Sequence, residues 1–269
     1  MLKRIENQHL NDVLKFLYKD PIYNCYIISD IETLGVDHPY LSLYGVFHQD
    51  EVKSVCMIFD RYAFYSSQTD EVDRDMIDLI LSKQLASISG SRDSISRLMK
   101  NLNFDKETEY MLAVLSDDHK VDHEFTSLDI KVLESEQEIK DLYHMLVDIH
   151  EFNVKSLTVD EFISEKKVIH EAGQTYGLFD HNQLCSTASA LSETKQHAVI
   201  NGVATKNDYR NKGYARKLID RIIYDYITIK GKELILYYDN PIAAKMYLDK
   251  GFKPYGTWIT LDLKKAEGK

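Results

Sequence analysis

Two periods of hydrophobic and polar positions divide this chain. Apolar residues fall at helical spacing from Leu10 to Leu17, from Ile139 to Val147, and at Ala215, Leu218, Ile219, Ile222, Ile223 and Tyr226. Each set marks one face of a helix. Between them lie short runs of β-branched, aromatic and small residues. Residues 198–205 read as a buried strand, and residues 233–238 as a short one. Residues 44–54 and 176–186 each read strand, polar turn, strand, which is a β-hairpin. The alternation predicts an α/β fold.

The two hairpins match residue by residue. Tyr176-Gly177-Leu178-Phe179 follows Tyr44-Gly45-Val46-Phe47 at a distance of 132 residues, without a gap. Leu2-Lys3-Arg4-Ile5-Glu6 likewise resembles Ile130-Lys131-Val132-Leu133-Glu134, and a helical pattern follows each. Near the ends of the copies, Ser91-Arg92-Asp93-Ser94 opens a helical run closing at Asn103-Phe104. Its counterpart opens at Asp239-Asn240-Pro241-Ile242 and closes at Gly251-Phe252, now 148 residues on. The second copy therefore gains 16 residues between hairpin and last helix, in the interval that holds Arg210 to Ala215. Three matches in one order predict an internal duplication. The expected domains are 1–120 and 127–269, joined by the short polar connection 116–124.

Composition narrows the functional classes. The chain has 269 residues, a net charge of −10, and 44% hydrophobic and 28% charged residues. This is globular composition, and the acidic balance speaks against non-specific binding to nucleic acid or to an anionic membrane. No apolar run approaches membrane-spanning length, and Met1 to Glu6 lacks the apolar core of a signal peptide. A cytoplasmic protein is expected. Cys25, Cys56 and Cys185 share no metal-ligand spacing, so no metal site is expected.

The stretch 198–215 carries chemistry. A strand is followed by the turn Lys206-Asn207-Asp208, then Arg210-Asn211-Lys212-Gly213-Tyr214-Ala215, then a helix. The first N–H groups of a helix lack intrahelical partners, and its dipole favours an anion there. Gly213 and Ala215 keep side-chain bulk away from such an anion, while Arg210, Lys212 and Arg216 add positive charge. Alone, the pattern fits equally a basic surface loop capping a helix. Downstream, Asn240 is a good N-cap, Pro241 suits the first helical position, and Gly251 suits the position after the helix.

Together these segments resemble the GNAT superfamily of N-acetyltransferases. Arg210-x-x-Gly213-x-Ala215 is similar to its acetyl-CoA motif. Asn240-x-x-Ala243-x-x-x-Tyr247-x-x-x-Gly251-Phe252 is similar to its second cofactor and catalytic motif. The strong likeness covers about residues 198–252. The resemblance implies two GNAT-like domains with mixed, mostly antiparallel sheets flanked by helices, the first domain degenerate.

It also implies roles. Val203 and Thr205 match strand positions that face the pantetheine arm. Arg210, Lys212, Gly213, Tyr214, Ala215 and Arg216 match the pyrophosphate loop, and Asn240 touches the cofactor near the thioester. Tyr247 matches the tyrosine that protonates the departing CoA thiolate. Many members hold a carboxylate base on the strand before the loop; here those positions are Asn201 and Gly202. Asn201 as a water holder, and Glu193 or His197 at the start of the strand, are the candidates. His150-Glu151 and His170-Glu171 are further pairs, and a solvated helix face explains both as well. Counting back from Phe104 against Phe252, Met99 falls at the place of Tyr247 and Arg92 at that of Asn240. No acetyl-CoA binding is expected in the first copy, which would cover the second, shape its pocket or form a homodimer surface. The expected reaction is direct transfer from acetyl-CoA to an amine, small molecule or peptide. A non-enzymatic acyl-CoA sensor and an aminoacyl-tRNA-dependent transferase are the rival readings.

Overall fold

The computed structural model describes residues 1–71, 74–117, 120–149, 152 and 154–264. The chain forms two compact units, one of residues 1–112 with 255–269, the other of residues 113–254.

In the first unit, β1 (Leu2–Arg4), β2 (Leu41–His48), β3 (Glu51–Phe59), β4 (Tyr62–Ser67) and β5 (Ser87–Ser91) lie side by side in that order. All pairs are antiparallel except β4 with β5. The described residues of the unit also form the helices α1 (Leu10–Leu17), α2 (Cys25–Leu34), α3 (Arg74–Ser82) and α4 (Arg92–Met99). Next comes β6 (Phe104–Leu115), within which the chain leaves the unit.

The second unit repeats this plan. β7 (Asp129–Val132), β8 (Gln174–Asp180), β9 (Gln183–Leu191), β10 (His197–Thr205) and β11 (Glu233–Tyr238) are adjacent in order, and only β10 with β11 is parallel. Its helices are α5 (Glu136–Val147), α6 (Val159–Ile169), α7 (Tyr214–Ile223), continued as a π-helix over Tyr224–Ile229, and α8 (Pro241–Asp249). The last strand, β12 (Lys253–Leu263), pairs antiparallel with β5 over Trp258 to Asp262. This pairing places residues 255–269 with the first unit, whereas the sequence pattern assigned them to the domain 127–269.

The repeat reaches down to single residues. Gln49 and Asp50 in one hairpin turn have φ of 48° and 66°, and His181 and Asn182 in the other have 49° and 63°. A turn with two left-handed residues matches the twist of the strands it joins. One register shift lies beside each turn: between Val46 and Phe47, and between Leu178 and Phe179. The helix ends correct the alignment by one residue. Ser91 caps α4 and Asn240 caps α8, so Leu98, not Met99, stands where Tyr247 does.

Local chemistry explains the elements. Ser135 and Glu138 form a reciprocal capping box that starts α5. The Asn240 side chain accepts from the Ile242 N–H at 2.8 Å, with Pro241 in the first turn of α8. Strands β8 and β9 are buried along almost their whole length because the sheet is covered on both faces. Tyr176, Ala190 and Ile200 pack with Leu218, Ile222 and Tyr226 of the α7 segment, while Leu133, Phe179 and Leu184 pack with Leu142 and Leu146 of α5.

Candidate functional site

Strand β10 breaks in its middle. Its pairing with β9 slips between Asn201 and Ala204, with Gly202 at φ 63°. Its parallel pairing with β11 ends at Ile200 opposite Leu236. Beyond Ile200 the strand keeps its β9 partner and leaves the other edge of its backbone open, the edge that an extended ligand adds to. A left-handed φ at position 202 is where glycine belongs, and a Cβ there would lie 3.3 Å from Ser189 Oγ.

The loop after β10 turns sharply into α7. Asn211 and Gly213 both take left-handed φ, 63° and 79°, and Gly213 caps the helix. The first intrahelical bond comes from the Lys217 N–H to the Gly213 carbonyl, so the N–H groups before it point out of the helix end. Arg210 Nε donates back to the Thr205 carbonyl at 3.2 Å and holds the loop to the strand. Tyr214 Oη donates to Asp180 Oδ2 at 3.0 Å, and Arg216 pairs with Asp249 at 3.1 Å.

These elements enclose one cavity of about 800 Å³. Of the residues singled out from sequence, Val203, Thr205, Arg210, Gly213, Tyr214, Ala215, Arg216, Asn240 and Tyr247 line it. Lys212 does not; its ammonium lies 4.6 Å from the centre of the Tyr209 ring. Tyr247 is 6% exposed, set against Tyr238 and Phe252 with ring centres 6.0 Å away in each case. Burial pushes its phenol up to about 12, so it stays protonated at neutral pH.

The candidate bases lie elsewhere. Glu193 is held by Lys232 at 2.7 Å and Lys230 at 3.0 Å and accepts from Tyr226 Oη. Its partial burial raises the carboxyl, and the two ammoniums outweigh that and lower it. His197 is buried with Nε2 3.2 Å from Glu233 Oε2, and burial lowers its imidazole despite that carboxylate. Neither lines the cavity. Asn201 lines a second, smaller cavity on the other side of the break. His150 and Glu151 fall outside the described residues. In the second pair, His170 Nε2 lies 2.9 Å from Thr175 Oγ1.

Sequence reasoning missed α6 and the small cavity whose wall it forms. Its apolar residues Phe162 and Ile163 are adjacent and give a weak helical stripe.

Comparison with known proteins fits this geometry. Residues 139–252 match the model of the acetyltransferase (GNAT) family. No curated protein sequence matches significantly. The whole chain is similar in fold to a tandem GNAT protein from the clavulanic acid biosynthesis pathway, solved without acetyl-CoA, at 9% identity and a TM-score of 0.67 over 100% of both chains. A GCN5-related N-acetyltransferase from Sphaerobacter thermophilus aligns with 100% of this chain and 97% of its own, at 10% identity and a TM-score of 0.67. A GNAT-family acetyltransferase from Colwellia psychrerythraea covers 98% of this chain and 100% of its own, at 15% identity and a TM-score of 0.57.

Proposed function

With residues 139–252 matching the model of the acetyltransferase (GNAT) family, we propose that the second unit transfers an acetyl group from acetyl-CoA to an amine by direct attack. The observation that carries this reading is the convergence, in one cavity, of the open edge of β10, the N-terminus of α7 and the phenol of Tyr247.

The residues fit the donor. The N–H groups at the start of α7, with Arg210 and Arg216 beside them, offer an anion-binding end for the pyrophosphate. The backbone of Val203 to Thr205 offers strand-like hydrogen bonds to the pantetheine amides. The thioester then lies near the break at Gly202, with Tyr247 on the α8 side. In the transfer, the amine nitrogen bonds to the acyl carbon, the C–S bond breaks, and Tyr247 supplies a proton to the departing sulfur. A phenol raised to about 12 serves this role because it is held protonated until a thiolate forms beside it.

The test is thiol release from acetyl-CoA with the full-length protein against a library of small amines and peptides. Acetyl-CoA binding with no amine-dependent thiol release would leave the sensor reading in its place.

A further inference from the structure

The small cavity behind the break in β10 has a volume of about 310 Å³, enough for a small molecule. Its walls include Leu142, Leu146, Ile169 and Leu191, which are apolar, and one polar edge formed by Thr175, Ser189 and Asn201. Phe152 lines this cavity and the larger one alike, and Gly202 and Val203, neighbours in the break, each line one of the two. The two cavities therefore adjoin at Phe152 and at the break in β10. Among the described residues no carboxylate lines the small one.

A chain of hydrogen bonds leads out of it instead. Ser189 Oγ and Thr175 Oγ1 lie 2.9 Å apart, and Thr175 Oγ1 lies 2.9 Å from His170 Nε2. Ser189 and Thr175 are buried cross-strand partners, 2% and 1% exposed, whereas His170 is half-buried at the end of the chain. One polarity satisfies every group: Ser189 donates to Thr175, Thr175 donates to a His170 nitrogen that carries no proton, and the lone pairs of Ser189 are left to face the cavity. Burial lowers the His170 imidazole, and the positive charge of Lys166, one turn earlier and also lining the cavity, lowers it further. The same Lys166 charge disfavours an ammonium ion in the cavity.

We propose that this cavity receives the acceptor, a small primary amine with an apolar body, and that Ser189, Thr175 and His170 relay its proton outward. The proposal rests on the acetyltransferase reading. As the nitrogen bonds to the acyl carbon and thiolate leaves, the N–H proton passes to Ser189 Oγ, the Ser189 proton to Thr175 Oγ1, and the Thr175 proton to His170 Nε2. His170 then releases it to solvent, helped by repulsion from Lys166. Ser189 is the one member that touches the amine.

The experiment measures kcat against pH by thiol release from acetyl-CoA with apolar primary amines, for the full chain and the variants His170→Gln, Thr175→Val, Ser189→Ala and Lys166→Gln. Calorimetric acetyl-CoA affinity serves as the control for folding. The wild-type profile is expected to fall on the acid side with a break below the ordinary imidazole value. The three relay variants are expected to lose roughly 10²-fold in kcat, with the break gone in His170→Gln. Lys166→Gln is expected to move the break to higher pH, which a merely structural role for the histidine does not do. Wild-type turnover with the same break in His170→Gln, or full kcat in Ser189→Ala, overturns the relay alone. Acetyl-CoA binding without turnover of any amine by the wild type overturns the acetyltransferase reading and the relay with it.

Discussion

The Ser67 N–H donates to Ser94 Oγ at 3.1 Å, and this bond ties the end of β4 to the first turn of α4. Arg97 Nη1 adds a second tie, donating to the Ser67 carbonyl at 3.2 Å. In the second unit the same place in the fold is the open end of β10, where the large cavity lies. The first unit also keeps β4 in unbroken register with β3 from Ser54 to Phe59, without the slip found in β10. Close backbone contact continues at Gly90, where a Cβ would meet the Tyr65 carbonyl oxygen at 2.4 Å. In the first copy the end of β4 is thus held by side chains of α4.

One acetyl-CoA site per chain follows from that difference. Calorimetric titration of the full-length protein is expected to give a stoichiometry of one. Gly213→Asp is expected to abolish it while the fold survives. The substitution forces a left-handed φ on a residue with a Cβ, a strain of about 1–2 kcal/mol. It also sets a carboxylate at the helix end proposed to hold the pyrophosphate. A Cβ at Gly213 meets no atom within 4 Å, so the loss would arise from conformation and charge and not from a clash within the protein. Retained affinity in this variant would refute the loop as the phosphate site.

Tyr247→Phe separates binding from chemistry. The ring contacts with Tyr238 and Phe252 survive the change, so acetyl-CoA affinity is expected to hold. Removing the proton donor is expected to lower kcat roughly 10²-fold. Because the phenol lies at about 12, Tyr247 should produce no fall in wild-type activity between pH 7 and about 10. Unchanged kcat in the variant would remove the acid role.

Asp30 on α2 gives the first unit a pH dependence of the opposite kind to ordinary acid denaturation. Burial raises its carboxyl to about 7, against 3.8 as the ordinary value. A raised folded-state value means that protonation favours the fold. That stabilisation is complete below about pH 4 and is lost as the pH rises through 7. Asp30→Asn keeps the neutral shape and removes the titration. At pH 8 the variant is expected to be more stable by up to about 4 kcal/mol, and at pH 4 to match the wild type. Thermal melts across that range check the sign, and a stability gap that widens toward low pH would contradict it.

Much of the fold was written in local patterns. The hairpins, the cap at Asn240 and the loop glycine Gly213 are short-range signals, and each stands where its sequence placed it. The cavity residues from Val203 to Tyr247 were legible for the same reason, since two contiguous motifs carry nearly all of them. What the sequence hid depends on pairing between distant segments. β12 belongs with β5 through a ladder that spans about 170 residues of chain, and no local pattern encodes it. The Ser189–Thr175–His170 chain is equally invisible, because its members meet only once β8 and β9 are in register. Glu193 looked available as a base because its lysine partners stand 37 and 39 residues away.

Among the described residues of the second unit, Lys250 and Asp220 form the most deeply buried ion pair, with side chains 4% and 0% exposed. Asp220 also accepts from the Asp122 N–H at 3.3 Å, and its other oxygen has no partner among the described residues. Burial pushes the Asp220 carboxyl up, and the Lys250 ammonium partly reverses this. The pair sits between the inward face of α7 and the residue before Gly251, so it fixes the end of α8 against the helix that begins the donor site. Lys250→Met removes the cation and leaves a buried carboxylate with too few partners. The expected loss is about 3–5 kcal/mol at pH 7, shrinking as the pH falls and Asp220 takes up a proton. Asp220→Asn in the same background is expected to recover a large part of it, because an amide needs no counter-charge. A double-mutant cycle by chemical denaturation measures both effects. A Lys250→Met variant as stable as the wild type at pH 7 would show that the pair does not hold α8 in place.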